Sequence, residues 1–126
     1  MSYQLNIKKE ADYLHVQVTG IRTMETVMSL TTDVLSSCFE HKCSKALIDI
    51  KAMSGNLDPL DSYGFSSDYL PGLESARNLK VAVVDLEKNR NFYDMVMYNA
   101  RRRGLDIYIL SDVDKAVELL KEGKWS

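Results

Sequence analysis

KALIDIKAMSGNLDPLDSYG, residues 45–64, changes character twice. Its first part, Ala46-Leu47-Ile48-Asp49-Ile50, is short, apolar and β-branched, with one carboxylate near its end. A strand covered on both faces of its sheet has that composition. The chain then turns through Met53-Ser54-Gly55-Asn56 and restarts at Asp58-Pro59-Leu60-Asp61. Asp at the N-cap, Pro at the first helical position and a carboxylate at the third mark a helix start. That helix is expected from Pro59 to about Tyr69, with Pro71-Gly72 as its stop. In open α/β sheets, ligands and modifying enzymes meet the protein just beyond the carboxyl ends of the strands. A working site is therefore expected here.

On the N-terminal side, Tyr3–Ile7 and Leu14–Val18 alternate apolar and polar residues, and the polar Lys8–Asp12 between them suits an antiparallel hairpin. His15 falls on the polar phase and reads as a solvated strand residue. Thr23 caps a helix, with Glu25 in its first turn. The core stripe of that helix is expected to be Met24, Val27, Met28, Thr31, Val34, Leu35 and Cys38. Cys38 then reads as an inert buried thiol and Cys43, past the helix end without an activating group near it in sequence, as unreactive, while His41 suits the last turn structurally.

On the C-terminal side, Lys80-Val81-Ala82-Val83-Val84-Asp85 is a second buried strand. A helix over Asn89–Arg103 follows, with three arginines in its last turn and Gly104 at C′. Phe92, Met95, Val96, Asn99 and Ala100 form its core stripe, and Tyr93 and Met97 widen its apolar face. Leu105–Leu110 is the last strand. Ser111 is expected to cap a final helix with Asp114 at N3, closed by Gly123 ahead of Trp125. The order β-β-α-β-α-β-α-β-α gives an α/β fold: a mixed sheet of about five strands, an N-terminal hairpin followed by β–α alternation, packed against four helices. Lys45–Lys51 should be central, between Val81–Asp85 and one hairpin strand, with Ile48 and Val83 fully buried. With no repeat or linker in 126 residues, a single domain spanning 1–126 is expected.

Composition excludes several function classes. Lys and Arg total 16 against 18 Asp and Glu, a net charge of −2, which argues against general affinity for nucleic acid or acidic membrane. Two cysteines do not make a disulfide framework, and no zinc partners lie near them. No apolar run is long enough to span a bilayer, and MSYQLNIKKE lacks the apolar core of a signal peptide, so the reducing cytoplasm is the expected compartment. Asp49, Asp85 and Asp112 all lie near strand ends, where three carboxylates could converge on a divalent cation. No lysine or nucleophile accompanies them, and caps and strand ends draw aspartate for structural reasons. Neither an enzyme nor a cofactor is expected.

Lys80–Asp85, Phe92-Tyr93-Asp94-Met95-Val96, Ala100-Arg101-Arg102-Arg103-Gly104-Leu105 and Ser111-Asp112-Val113-Asp114-Lys115-Ala116 together follow a recognisable pattern. The pattern is helix, R-G-hydrophobic turn, strand, then an acidic cap before an A-hydrophobic-x-x-L helix. With these motifs, and with Gly20 and the element order of the N-terminal half, the chain resembles the SpoIIAA-like domains of the STAS group, the anti-sigma-factor antagonists. The resemblance implies a non-enzymatic regulatory module that binds a protein partner. In that family a serine in a D-S-x-G run is phosphorylated by a partner kinase, and Asp61-Ser62-Tyr63-Gly64 matches the run. Ser62, with Asp61 and Gly64, is the candidate phosphoacceptor, since phosphate in the first turn meets the positive end of a helix.

The lipid-binding CRAL-TRIO domains share the fold, which implies an alternative. A small apolar ligand or lipid would sit under the Asp58–Tyr69 helix, against Leu57, Leu60, Phe65, Tyr69 and Leu70. A third expectation is self-association: Tyr93 and Met97 form a candidate interface for a homodimer across a two-fold axis.

Overall fold

The structure is a computed structural model that describes residues 3–55 and 78–122; for residues 89–93, 95, 96 and 122 it describes the backbone only. Alternation at the N-terminus produces a hairpin, with β1 (Tyr3–Lys9) antiparallel to β2 (Leu14–Ile21). Tyr3, Leu5 and Ile7 point to one face with Leu14, Val16 and Val18, while Gln4, Asn6, Lys8, Gln17 and Thr19 stay exposed on the other. This is the in–out pattern of a sheet solvated on one side.

Thr23 leads into α1 (Met24–Glu40), its hydroxyl accepting from the Thr26 amide at 3.1 Å. After α1, β3 (Lys45–Asp49) lies parallel to β2. A turn closed by the Met53 amide on the Ile50 carbonyl interrupts it. β4 (Met53–Ser54) then rejoins β2, opposite Gly20 and Ile21. β5 (Lys80–Val84) pairs parallel with β3, and a short 3-10 turn (Glu87–Asn89) opens α2 (Arg90–Arg102). β6 (Asp106–Leu110) pairs parallel with β5, and α3 (Val113–Glu122) follows.

The strand order β1-β2-β3-β5-β6, with β4 beside β2, makes a six-stranded mixed sheet. As the sequence indicates, β3 is central, between β2 and β5. On one face, α1 packs over β1 and β2 and α2 over β6; on the other, α3 packs over β3 and β5. Leu14, Val16, Ala46 and Ile48 join Leu30 and Val34 in the first core, and Leu47, Ala82 and Val84 join Ala116 and Leu120 in the second.

Several expectations are corrected. The sheet has six strands because Met53-Ser54, read as irregular, continues the line of β3. Among the described residues there are three α-helices; the expected helix over Pro59–Tyr69 lies outside them. Ile48 is buried, but Val83 is only half-buried against the same core. The buried line of α1 is Thr26, Leu30, Val34, Ser37 and Cys38. Met24, Val27, Met28 and Leu35 instead flank Ala100 and Leu105, the seam towards α2. The cap of α3 is Asp112 rather than Ser111: its Oδ1 accepts from the amides of Asp114 at 2.8 Å and Lys115 at 3.3 Å. Gly104 does occupy C′ of α2 at φ +82°, with Leu105 bonded back to Ala100.

Candidate functional site

Three strands end side by side at the carboxyl edge of the sheet, and one side chain ties them together. Arg22 immediately follows β2 and is 5% exposed. Its Nη2 donates to Asp85 Oδ2 at 3.0 Å and to the Ile50 carbonyl at 3.3 Å. Its Nη1 donates to the Gly55 carbonyl, and its own amide donates to the Ser54 carbonyl at 2.8 Å. Asp85, at the end of β5, is 2% exposed and also accepts from the Leu86 amide at 2.7 Å. The planar guanidinium suits this task because its donors reach a carboxylate and two carbonyls at once. Charges this deeply buried require such compensation, since desolvation costs several kcal/mol per ion, of order.

The clamp sets what this end of the molecule presents. Ile21 and Leu86 adjoin Arg22 and Asp85 in the chain, and they are 56% and 40% exposed. Gly55 takes φ +79°, a left-handed conformation that favours glycine, and hands the chain on to residue 56. Close by, a crevice of about 310 Å³ lies between the ends of β5 and β6 and the start of α3. Asp85, Leu86, Met97, Leu110, Asp112 and Lys115 are among its lining residues.

The three aspartates weighed for a cation do separate structural work. Asp49 Oδ1 accepts from the Lys51 amide at 3.1 Å, Asp85 holds Arg22, and Asp112 caps α3. Among the described residues, no three His, Cys, Asp or Glu side chains come together to hold a metal ion. His15 departs from its solvated reading. It is half-buried beside Tyr13, ring centroids 6.4 Å apart, with Nε2 buried and without a hydrogen-bond partner. The face it occupies is the one that α3 covers further along the sheet. His41 Nδ1 lies 2.9 Å from the Ser37 carbonyl at the end of α1, the structural place expected of it. Cys38 is buried with Cys43, and burial first, then the neighbouring Cys43, pushes its thiol up to about 11.

Comparison with known proteins adds the frame for these positions. No protein-family model matches the sequence, and no curated protein does. Among solved structures, an anti-sigma factor antagonist from Mycobacterium paratuberculosis overlays it with a TM-score of 0.60 at 14% identity, over 95% of each chain. An uncharacterised protein with a SpoIIAA-like fold from Shewanella loihica overlays it with a TM-score of 0.56 at 22% identity, over 94% of each chain. The fold is SpoIIAA-like.

Within this SpoIIAA-like frame, the run Asp61-Ser62-Tyr63-Gly64 and the pocket set Leu57, Leu60, Phe65, Tyr69 and Leu70 fall outside the described residues. So does the side chain of Tyr93. Met97 is half-buried in the crevice wall, and among the described side chains of α2 Tyr98 is strongly exposed, at 63%, with Arg102 stacked 5.6 Å from its ring centre. Sequence reasoning missed Arg22. The signal available was a lone cation between the strand end Gly20-Ile21 and the cap Thr23, with a lone anion ending the Val81–Val84 run.

Proposed function

We propose that this chain is a non-enzymatic regulatory module that acts in the cytoplasm by binding another protein, with Ser62 as its phosphorylation switch. The observation that carries the reading is the Arg22–Asp85 clamp at the carboxyl edge of a SpoIIAA-like sheet. It holds Ile21 and Leu86 outward and fixes Gly55, seven residues ahead of Ser62 in the chain. A rigid scaffold that shows exposed apolar side chains is suited to reversible protein contact. Phosphate on Ser62 would add roughly two negative charges, enough to oppose an apolar or acidic partner surface. The likeness in fold to an anti-sigma factor antagonist supports the same reading, as does the D-S-x-G run.

The test is to isolate the protein from its own cells, map its phosphate, identify the bound protein and titrate that protein against Ser62→Ala and Ser62→Asp. Phosphate is expected on Ser62, with binding kept in Ser62→Ala and weakened about tenfold or more in Ser62→Asp, both at wild-type melting temperature. Equal binding by the two variants with no phosphate on Ser62 removes the switch. Recovery of the chain without any protein partner removes the module itself.

A further inference from the structure

Helix α1 ends in a closed turn. The Cys43 amide donates to the Cys38 carbonyl at 2.9 Å, and the Lys42 amide donates to the Phe39 carbonyl at 3.2 Å. Lys42 between them is left-handed, at φ +52°. This pair of bonds is the Schellman arrangement, with Lys42 at C′ and with Cys38 and Cys43 as the C3 and C″ residues whose side chains the turn brings together. Both thiols are buried, at 1% and 8% exposure, and both belong to one apolar cluster.

The backbone bond also limits how far apart they can be. Adding the N–Cα bond and the reach from Cα to carbonyl oxygen to that 2.9 Å contact keeps the Cα atoms within about 6.8 Å, even fully in line. The turn bends this path, so the true separation is shorter. Disulfides bridge Cα separations of about 4.4–6.8 Å.

We infer that Cys38 and Cys43 form a modification site, a thiol pair that closes to a disulfide across the end of α1 when the protein meets hydrogen peroxide. Cys43 is the outer thiol, donating its Sγ–H to the Lys45 carbonyl at 3.3 Å. Its sulfur attacks one peroxide oxygen, the O–O bond breaks, and Cys43 becomes a sulfenic acid as one water leaves. The Cys38 sulfur then attacks the sulfenic sulfur, the S–S bond forms, and the sulfenic oxygen departs as a second water carrying the Cys38 proton. Two thiols lose two electrons and two hydrogens, and the peroxide is reduced to two waters. Cys38 comes second because its raised pKa leaves little thiolate for a direct attack on the peroxide. The bond would hold a turn that Lys42, a side-chain-bearing residue in left-handed backbone, otherwise disfavours.

The experiment oxidises the folded wild-type chain with hydrogen peroxide, then measures intact mass, thiols alkylatable after unfolding, and the melting midpoint. The sequence contains two cysteines, so an intramolecular disulfide can only join these. The expected product has lost two hydrogens, has no alkylatable thiol, reverts with dithiothreitol and melts higher than the reduced protein. Two thiols that remain alkylatable, or a sulfinic or sulfonic product, overturn the inference. A disulfide form that melts below the reduced protein also overturns it, because the native turn would then not accommodate the bond.

Discussion

Arg22 and Asp85 are charged residues in a place where charge is costly, and their value depends on staying paired. Arg22→Met leaves a carboxylate buried without its cation and removes one donor each from the Ile50 and Gly55 carbonyls. A loss of about 3–5 kcal/mol is expected, read as a lower urea midpoint. Arg22→Met with Asp85→Leu should recover part of that loss by restoring an apolar interior. Faster amide exchange at Met53–Gly55 should persist in the double variant, since the Gly55 carbonyl loses its Arg22 donor and the Ile50 carbonyl keeps only the Met53 amide. A single Arg22→Met variant within about 1 kcal/mol of wild type would show that the pair is not a clamp. Such a pair was out of reach of the sequence. Its members lie 63 residues apart, and each alone looks like an ordinary strand-end charge. In the sequence Asp85 is one of three strand-end aspartates, and Arg22 has no motif of its own.

At the scale of the element, periodicity located α1 correctly but found only part of its buried face. Val34 and Cys38 of the expected stripe are buried, but Thr26 and Ser37 complete that face with Leu30, and an apolar stripe could not find these two polar residues. Met24, Val27, Met28 and Leu35 of the stripe that the sequence favours serve a second contact, towards Ala100 and Leu105. Asp112 displaced Ser111 as the cap of α3 because either residue can cap, and only the backbone path decides which one is positioned. The end of α1 offers a cleaner test. Lys42 holds a left-handed backbone where helices usually place glycine. Lys42→Gly relieves the Cβ clash, partly offset by the greater entropy of glycine in the unfolded chain, and should stabilise by about 0.5–1 kcal/mol. Chemical denaturation decides it, and a destabilised Lys42→Gly would mean that the lysine side chain contributes more than its backbone costs.

For the whole molecule, topology was the most legible property. Apolar runs at Ala46–Ile50 and Val81–Val84 could only be interior strands, and the hairpin and one-way crossovers then fixed their neighbours. The working surface was less legible, because a surface is defined by what the fold leaves uncovered, and no period in the sequence encodes that. Self-association is the sharpest case. We expect a homodimer through the α2 surface, where exposed Tyr98 and stacked Arg102 have the aromatic and arginine character that concentrates binding energy at interfaces. Tyr93→Glu with Met97→Glu should shift the species to monomer in sedimentation at micromolar concentration. Met97 is half-buried beside Asp94 and Asp112 in the crevice, so a glutamate there adds like charge and can weaken the fold on its own. Tyr98→Glu changes an exposed position on the same helix and should separate the two effects, lowering association while leaving the melting temperature unchanged. A wild-type chain that already sediments as a monomer, or a Tyr98→Glu variant that dimerises as tightly as wild type, removes α2 as the contact.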